Sequence, residues 1–366
     1  MKRLLALLLT GALVGTMLLT GCGASETKEP SRETPARTEA PEEETPENSG
    51  TEGEVDISAL PEMELELGHS GAASEENHMH FFTVRFQEKV EELSGGNIKI
   101  NIHPASELGG EREMLEAVQL GVLDLCFTST GPLGNFVPEV YAFDFPFLFK
   151  DYDHAKKVFD GEIGEEYAEK IGGNGIQVIV WAENGIRQIF NSVHPVTCAA
   201  DMQGIKIRTM ENKVHMATFE ALGADPTPIS TAEIYTSLQQ GVVDAVEGAI
   251  TWLIPAKFYE TQKYLTMSNH LYAPAILAMN MDQFNGYAPE VQQVLMEAAR
   301  WARDEQREYL KTADEKQLEF AETQGVEIVR NEEVDRQSFL DATQGVYEEL
   351  GKDYQDIIDR IRACEN

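Results

Sequence analysis

Basic residues are scarce in this chain, which has 29 Lys and Arg against 63 Asp and Glu and a formal net charge of −34. A protein that binds nucleic acid presents a basic face to the phosphates, so this imbalance argues against a nucleic-acid partner. Cysteine is also scarce: apart from Cys22, only Cys126, Cys198 and Cys364 occur, and an odd number cannot form a complete disulfide framework. Cys126 lies in an apolar run and is predicted to be a small core residue.

The short motifs of common catalytic sites are missing as well. The sequence has no G-x-S-x-G, no phosphate-cradling glycine loop and no Cys/His nucleophile pattern. His78-Met79-His80 carries two histidines, but residues two apart do not share a helix face, and no second His or Cys cluster supports a metal site. We therefore expect no enzyme activity, no metal and no cofactor.

The first residues resemble an export signal. Two basic residues precede an almost wholly apolar run, Leu4 to Leu19, which is too short for a permanent membrane span. Leu19-Thr20-Gly21-Cys22 resembles a bacterial lipobox, which implies cleavage before Cys22 and acylation of its thiol. The alternative is an ordinary signal peptide with an incidental cysteine. We expect residues 1–21 to be a lipoprotein signal peptide and lipid chains on Cys22 to hold the protein on the outer face of the cell membrane, or in the periplasm.

Residues 22–62 are predicted to be a disordered acidic linker. Residues 24–62 contain 12 acidic and 3 basic residues, a net charge of 3 − 12 = −9, and no aromatic residue. Such a segment buries too little apolar surface to fold, and its charge keeps it extended between the lipid and the folded part. Since the signal contributes +2, residues 63–366 keep −34 − 2 + 9 = −27.

From residue 63 onward, strand and helix patterns alternate, which predicts an α/β fold of mainly parallel sheets with flanking helices. The predicted strands are 63–68, 98–103, 122–127, 176–181, 185–191, 263–267, 271–280 and 326–329. The stretch 204–248 is predicted to begin with a strand that carries Arg208 and to end with a second strand. A capping box, Ser230-Thr-Ala-Glu233, predicts the start of one helix. Pro289 to about Gln324 is a helical pattern without internal Gly or Pro, and at about 1.5 Å per residue it is long enough to span two lobes.

A short internal echo suggests two lobes of related design. Val118–Leu125 resembles Leu238–Ala245, and each reads as a helix end, a glycine and a strand. We expect lobe 1 to comprise approximately residues 63–185 and 275–313, lobe 2 to comprise 186–274 and 314–366, and hinge strands to join them.

The stretch Gly204 to Gly248 holds the main functional candidate. Arg208 follows Ile205 and Ile207 in a strand that otherwise looks buried, where a cation is costly unless an anion meets it. Arg187 lies on an earlier strand, and two guanidinium groups can bind one carboxylate. The alternative is that each arginine pairs with a structural acid such as Asp244 or Glu233. Ligand sites in open α/β sheets lie beyond the carboxyl ends of the strands, which also points to residues 127–129 and 247–248.

The same stretch, with GIKIRTMENKVHMATFEALGADPTP and EIYTSLQQGVVDAVEG, resembles the DctP-type solute-binding subunit of TRAP (tripartite ATP-independent periplasmic) transporters. The likeness includes Leu108–Arg112, Asn184–Gln188 and Lys257–Tyr264, and it covers nearly all of residues 63–366. It implies a two-lobed, periplasmic-binding-protein-like receptor that works as a monomer. Such a receptor closes at a hinge around a carboxylate-containing organic acid and delivers it to membrane subunits.

The resemblance also implies a set of ligand-binding residues. The family's arginine that pairs with the ligand carboxylate falls on Arg208, and an assisting arginine falls on Arg187. The remaining cleft positions fall on Glu111, Phe127, Thr128, Ser129, Glu211 and Thr231. Many relatives have Asn where this chain has Gly248, so a side-chain amide contact is lost. That loss suggests room for a larger or less polar ligand, with Trp252 or Tyr235 as walls.

Two other functions fit parts of this pattern. A receptor that reports its ligand to a membrane signalling protein would have the same fold. A secreted enzyme acting on an organic acid would need a perturbed acid or base in the cleft, and the sequence offers no convincing one.

Overall fold

The computed structural model describes residues 60–365. The predicted signal peptide, Cys22 and nearly all of the predicted linker lie outside the described residues. The strands are β1 (Met63–His69), β2 (Ile98–His103), β3 (Leu125–Ser129), β4 (Ile176–Asn191), β5 (Lys206–Thr209), β6 (Asp225–Pro228), β7 (Ala245–Ala249), β8 (Tyr264–Asn280) and β9 (Glu327–Val329). The helices are α1 (His78–Leu93), α2 (Glu111–Gln119), α3 (Tyr152–Phe159), α4 (Glu162–Gly172), α5 (Lys213–Ala221), α6 (Ile234–Gln239), α7 (Ile250–Leu253), α8 (Met281–Gly286), α9 (Pro289–Thr323), α10 (Arg336–Leu350) and α11 (Gln355–Ala363). Within the described part of the chain, none of these helices has the length and apolar character needed to cross a membrane.

One mixed sheet contains all of these strands, in the order β2-β1-β3-β8-β4-β7-β5-β6, with β9 also paired to β8. On one side β1 pairs in parallel with β2 and β3, and on the other β5 pairs in parallel with β6 and β7. The two long strands β4 and β8 pair antiparallel with each other and with their outer neighbours. The α/β class predicted from the sequence is confirmed, and the antiparallel pair joins two groups of parallel strands.

β4 and β8 are each continuous, whereas the sequence pattern predicts two strands in each region. Gly185 has a positive φ of 103°, and the register with β8 shifts between Glu183 and Gly185. The strand therefore bends there without ending, which glycine permits at no steric cost. In β8 the corresponding irregular residue is Asn269, with φ of 46°. The predicted breaks were wrong because bulge residues resemble turn residues in sequence.

Two other local predictions were wrong. The strand predicted over residues 122–127 begins only at Leu125, because Val122 lies in a turn and is 81% exposed. The capping box is not formed, since Ser230 makes no side-chain hydrogen bond to the helix start and a 3-10 turn precedes α6. The two echo segments do share a local structure: Gly121 and Gly241 have φ of 70° and 68° between a helix and a strand.

α9 forms over almost the whole predicted range and packs against α1, α7 and β4. Buried side chains recur along one face at helical spacing, among them Val291, Leu295, Ala298 and Ala302. Gln306 anchors the helix to the sheet, because its amide group exchanges hydrogen bonds of 3.0 and 3.1 Å with the Glu183 backbone.

The C-terminal helix α11 packs against elements of predicted lobe 1, although the prediction assigned it to lobe 2. The ring of His154 lies 2.7 Å from the carbonyl oxygen of Ile361, and Arg360 forms a 2.7 Å ion pair with Glu166. The lobe boundaries remain a prediction, and any boundary in residues 314–366 has to accommodate this contact.

Candidate ligand-binding site

Arg208 is buried on the short strand β5, with 2% of its surface exposed. Its Nε donates to the Ile229 carbonyl at 2.8 Å, while Nη1 is buried without a hydrogen-bond partner. Among the residues described, no carboxylate forms an ion pair with it, so the predicted alternative of Asp244 or Glu233 as its partner is wrong. A buried donor without a partner costs about 1–3 kcal/mol, more when it is charged. The site therefore leaves a guanidinium group that an anion would satisfy.

Electrostatics around Arg208 show which charges surround it. Burial lowers its pKa to about 10; Glu247 opposes this effect and Arg187 reinforces it. Glu111 and Glu211 also raise the pKa, so they lie within electrostatic reach of the guanidinium. Four of the predicted site residues, Arg208, Arg187, Glu111 and Glu211, thus share one neighbourhood.

Arg187 on β4 has a partner that Arg208 lacks. Its Nε and Nη2 donate to the two carboxylate oxygens of Glu247 on β7, the second at 2.7 Å, and Nη2 also donates to the Glu247 carbonyl at 2.9 Å. The antiparallel register places Ile189 opposite Glu247, so Arg187 lies diagonally across the strand pair. The acid partner is therefore Glu247, not Asp244 or Glu233, and a ligand role for Arg187 stays a prediction.

Two histidines complete the surroundings of Glu247. Burial alone would raise the pKa of this carboxyl, but Arg187 and His270 hold it well below its usual range. His270 Nε2 lies 3.4 Å and His215 Nδ1 lies 4.0 Å from the carboxylate. Burial lowers the pKa of His270, which favours its neutral form. Glu247 is consequently an ionised, fully buried carboxylate beside the candidate site.

Glu111, at the first position of α2, joins two hydroxyl groups. Its carboxylate accepts hydrogen bonds from Ser129 at 2.6 Å and from Ser70 at 2.9 Å. Glu111 and Ser129 are both buried, and Ser129 ends strand β3 at its carboxyl edge. The structure brings these two predicted site residues into direct contact, as expected for residues at one end of a sheet.

The start of α2, together with the segments before α2 and after β3, contacts the segments after β5 and β6. Arg112 forms a 3.0 Å ion pair with Glu211, and the Ser106 and Thr231 hydroxyls lie 3.2 Å apart. Asn135 donates to the Glu211 carbonyl at 2.8 Å. Glu211 and Thr231 therefore belong to a rim of polar contacts around the buried arginines.

Below this rim, Asn212 connects the start of α5 to the segment that follows β3. Its side-chain oxygen accepts from the Val214 and His215 amides and caps α5, as Asn commonly does. Its amide nitrogen donates to Asp144 at 2.6 Å and to the Gly131 carbonyl at 2.9 Å. The start of α5, four residues after Arg208, is thereby fixed to the segment that follows β3.

Gly248 does not leave open space, contrary to the expectation of room for a larger ligand. A Cβ atom there would lie 2.8 Å from Cε3 and 3.2 Å from Cζ3 of Trp252. Trp252 is itself buried and packs edge-on against Phe258, with ring centroids 5.2 Å apart. The hydroxyl of Tyr235 donates to Glu260, and its role as a wall stays a prediction. The indole therefore fills the volume that a side chain at position 248 would occupy.

Phe127 and Thr128 are buried beside Ser129, but their visible contacts are structural. Phe127 stacks on Phe82, with ring centroids 4.2 Å apart, and the Thr128 hydroxyl donates to the Ser129 carbonyl at 3.2 Å. Within residues 60–365, no hydrogen bond, ion pair or ring contact joins Phe127, Thr128 or Trp252 to the arginines, and their ligand roles stay predictions.

A separate cavity of about 660 Å³ lies between α3 and α9 and contains none of the predicted site residues. Arg307 lines it and pairs with Asp160 at 2.7 Å and with Glu183 at 2.8 Å. Because these carboxylates already neutralise its most buried cation, the cavity is a poorer anion site than the surroundings of Arg208.

Sequence reasoning missed several neighbours of the site, namely Asp144, Asn212, His215 and the pairing of Glu247 with Arg187. A local signal existed for Asn212, because Asn before a helix is a typical cap. None existed for Asp144, which lies far away in sequence and approaches α5 only through the fold.

This chain is similar to a family model and to a named relative. Residues 69–353 match the family model DctP, described as bacterial extracellular solute-binding protein, family 7. The 2,3-diketo-L-gulonate-binding periplasmic protein YiaO of Escherichia coli (strain K12) is 33% identical over 285 residues, which are 78% of this chain and 86% of that protein.

Two solved structures are also similar. A TRAP periplasmic solute-binding protein from Polaromonas sp. JS666, bound to D-erythronate, superposes with a TM-score of 0.80 at 38% identity, over 83% of this chain and all of that one. Another from Pseudomonas putida F1, with bound D-glucuronate, has a TM-score of 0.78 and 30% identity, over 83% of this chain and 98% of that one.

Proposed function

The chain belongs to the DctP family of bacterial extracellular solute-binding proteins, and from that premise we propose that it captures a carboxylate-containing sugar acid for a TRAP transporter. The family and receptor function expected from the sequence are thus confirmed, and the choice of ligand is the new step. The observation that supports it is the buried Nη1 of Arg208, which has no hydrogen-bond partner among residues 60–365. The related receptors bind D-erythronate and D-glucuronate, both of which carry one carboxylate and several hydroxyls.

The surroundings of Arg208 suit such a ligand. The carboxylate would pair with the guanidinium group, where burial strengthens a charge-assisted hydrogen bond. The hydroxyls of Ser129 and Ser70 donate to the carboxylate of Glu111. Together these groups would form a polar wall that accepts hydrogen bonds from ligand hydroxyls and donates hydrogen bonds to them. The ion pair between Arg112 and Glu211 would lie over the bound ligand and exclude water in the closed state of the proposed hinge motion.

A thermal-shift screen tests the ligand class. Ligand that binds only the folded state raises the melting temperature, so D-erythronate, D-glucuronate and 2,3-diketo-L-gulonate should raise it, whereas erythritol and glucose should not. A shift with the neutral compounds alone would contradict the carboxylate proposal.

The role of Arg208 is tested by Arg208→Lys, which keeps the charge but loses the planar donor pair. We expect a loss of affinity of about ten- to hundredfold, measured by isothermal titration calorimetry with the acid that binds the wild type. Lys206→Arg, on the exposed end of the same strand, is the matched control and should bind normally. Wild-type affinity in Arg208→Lys would show that the carboxylate is bound elsewhere.

Anchoring by lipid on Cys22 is a further part of the proposal, supported by the lipobox-like sequence alone. Cells that express the chain should incorporate an alkyne-labelled palmitate into it, and Cys22→Ser should abolish the label while Cys198→Ser keeps it. Label that persists in Cys22→Ser would rule out this anchor.

Delivery to membrane subunits is also part of the proposal, and membership of the family supports it. Vesicles that contain the TRAP membrane subunits of the same cell should accumulate the bound acid only when this chain is added. Accumulation without the chain would mean that it is not the required receptor.

A further inference from the structure

His78, the first residue of α1, is buried and forms hydrogen bonds to three elements that are distant in the chain. Its Nε2 lies 3.2 Å from Oδ1 of Asn184 in β4, and its Nδ1 lies 3.0 Å from the hydroxyl oxygen of Thr251 on α7. Its backbone carbonyl accepts a hydrogen bond of 3.0 Å from the side chain of Gln306 on α9. All four residues are buried, so water does not readily replace these partners.

The partners of the imidazole determine which ring nitrogen carries the hydrogen. An amide oxygen only accepts, so Nε2 carries the hydrogen and donates it to Asn184. Burial lowers the pKa of His78 to about 4, which keeps the ring neutral near pH 7. Nδ1 then presents a lone pair and accepts from the hydroxyl of Thr251. Both ring nitrogens are satisfied, and the neutral ring connects β4 to α7.

Asn184 lies at the bend of β4. The register with β8 shifts between Glu183 and Gly185, and Gly185 has the positive φ of 103°. Gln306 bonds to the backbone of Glu183 as well as to the carbonyl of His78, so α1 and α9 are both attached to this bend. Since β4 is one of the two long strands that join the two groups of parallel strands, a rotation of one group relative to the other would act here.

The bond from His78 to Thr251 crosses the predicted lobe boundary, because the first residue belongs to predicted lobe 1 and the second to predicted lobe 2. α7 follows β7 directly. A Cβ atom on Gly185 would lie 3.0 Å from the Cβ of Ala249 at the end of β7, so the bend of β4 and the start of α7 are close together. An opening of the lobes about this bend would therefore move α7 away from α1.

The ion pair at the rim crosses the same boundary but is reached by solvent. The side chains of Arg112 and Glu211 are 49% and 29% exposed, and exposed ion pairs contribute little because water competes for both charges. His78 and Thr251 are fully buried, and a buried donor or acceptor that loses its partner is costly. The bond between them should therefore favour the closed state more strongly than the rim ion pair does.

We propose that His78 is a positioning residue for ligand capture, which holds α7 against the bend of β4 and thereby stabilises the closed state that retains the acid. This inference rests on the proposed function, because it needs closure around a ligand. Loss of the contact favours opening, so the ligand leaves faster, while its approach to the open site changes little. For one hydrogen bond the expected change in dissociation rate is about two- to tenfold.

Thr251→Val tests the contact with a change of nearly the same shape, which removes only the hydroxyl. Stopped-flow tryptophan fluorescence measures the association and dissociation rates with whichever of D-erythronate, D-glucuronate and 2,3-diketo-L-gulonate binds the wild type. We expect dissociation to accelerate about two- to tenfold and association to stay within about twofold of the wild type. Thr312→Val, at an exposed position of α9, is the matched control and should change neither rate.

A second pair of variants shows whether Thr251 acts through His78. His78→Leu removes both ring contacts and should accelerate dissociation at least as much as Thr251→Val. Adding Thr251→Val to His78→Leu should then have no further effect, because the partner is already gone. If His78→Leu fails to fold, His78→Gln replaces it, since its amide can still donate to Asn184 while the acceptor for Thr251 is lost. An equal acceleration by Thr251→Val with and without His78 would overturn the proposal.

The rates also separate a positioning role from a contribution to stability alone. Urea unfolding is measured for the same variants, and a loss of stability without faster dissociation would show that His78 only stabilises the fold. Slower association with unchanged dissociation would place the effect in the open state and would likewise overturn the proposal. Either result leaves the receptor function intact, whereas failure of all three acids to bind the wild type would contradict both.

Discussion

Arg187 and Arg208 are equally buried, each with 2% of its surface exposed, yet their surroundings differ. Arg187 donates to both carboxylate oxygens and to the carbonyl of Glu247. Arg208 donates from Nε to one backbone carbonyl, and its Nη1 has no partner. The sequence gives no hint of this difference, because both arginines lie in apolar strands.

The difference separates an arginine that stabilises the protein from one that is kept for a ligand. A buried cation with a bidentate carboxylate partner is part of the fold, and removing either member leaves an uncompensated charge. A buried cation without a carboxylate partner raises the free energy of the folded state, and this cost is removed only when an anion binds. The same substitution should therefore destabilise the protein strongly at Arg187 and only slightly, if at all, at Arg208.

The largest effect is expected for Arg187→Met. This change leaves Glu247 buried and ionised without its main partner, and losing one member of such a pair costs about 3–5 kcal/mol. Urea unfolding at pH 7 measures the free energy of unfolding. The double variant with Glu247→Leu removes both charges and should regain most of the loss.

A loss below about 1 kcal/mol for Arg187→Met would break the comparison. It would mean that His270 and His215 compensate Glu247 without Arg187, and that Arg187 is available to a ligand as the family resemblance implies.

The next largest effect on stability is expected at Gly248 on β7, the strand that pairs with β4. Gly248→Ala would place a Cβ within 2.8 Å of the Trp252 ring, and overpacking of this kind costs about 1–3 kcal/mol. Gly345→Ala, where a Cβ meets nothing within 4 Å, is the control and should be neutral or stabilising. If Gly248→Ala were equally well tolerated, the indole would be mobile and the site larger than its contacts indicate.

How much of the structure can be predicted from the sequence depends on how far apart in the chain the interacting residues lie. β2 and α9 are recovered almost to the residue, because apolar periodicity and the absence of Gly and Pro act locally. The burial of Arg208 could be predicted for the same reason, because it is a charge in an apolar strand. The sequence around Gly185 resembles the end of a strand, because glycine is typical of both β-bulges and turns.

The partners of the site residues could not be predicted in this way. Whether Arg187 meets Glu247 or a ligand depends on the register of β4 with β7, which sequence spacing does not determine. The contact between Asp144 and His215 joins segments 71 residues apart, and no local propensity specifies it. Trp252 filling the space at Gly248 is likewise a packing result, visible only in three dimensions.

Asp314 is a second unpaired buried charge, and it lies outside the candidate site. Its Oδ1 is buried on α9 without a hydrogen-bond partner, and burial raises the pKa of this carboxyl from 3.8 to about 6. The folded state therefore binds protons more tightly than the unfolded state, so stability decreases as pH rises from about 4 to about 6 and the cost persists above that.

Asp314→Asn should accordingly stabilise the protein at pH 7.5 by about 1–2 kcal/mol and have little effect at pH 4. Urea unfolding at the two pH values measures this difference, with the exposed Glu315→Gln on the same helix as the control. A gain that does not depend on pH would mean that the carboxylate charge is not its cause.

The smallest effect on stability, and the most informative, is expected for Arg208→Met. The substitution loses the hydrogen bond to Ile229, worth about 1 kcal/mol, but it also removes a buried guanidinium group whose Nη1 has no partner. These terms oppose each other, so the free protein should unfold within about 1 kcal/mol of the wild type, while the melting-temperature increase caused by sugar acids should vanish. A destabilisation as large as that of Arg187→Met would show that Arg208 also stabilises the fold. Stability and a ligand-induced shift that both remained at wild-type values would mean that protein groups alone compensate the charge of Arg208 in the wild type. The ligand carboxylate would then bind elsewhere.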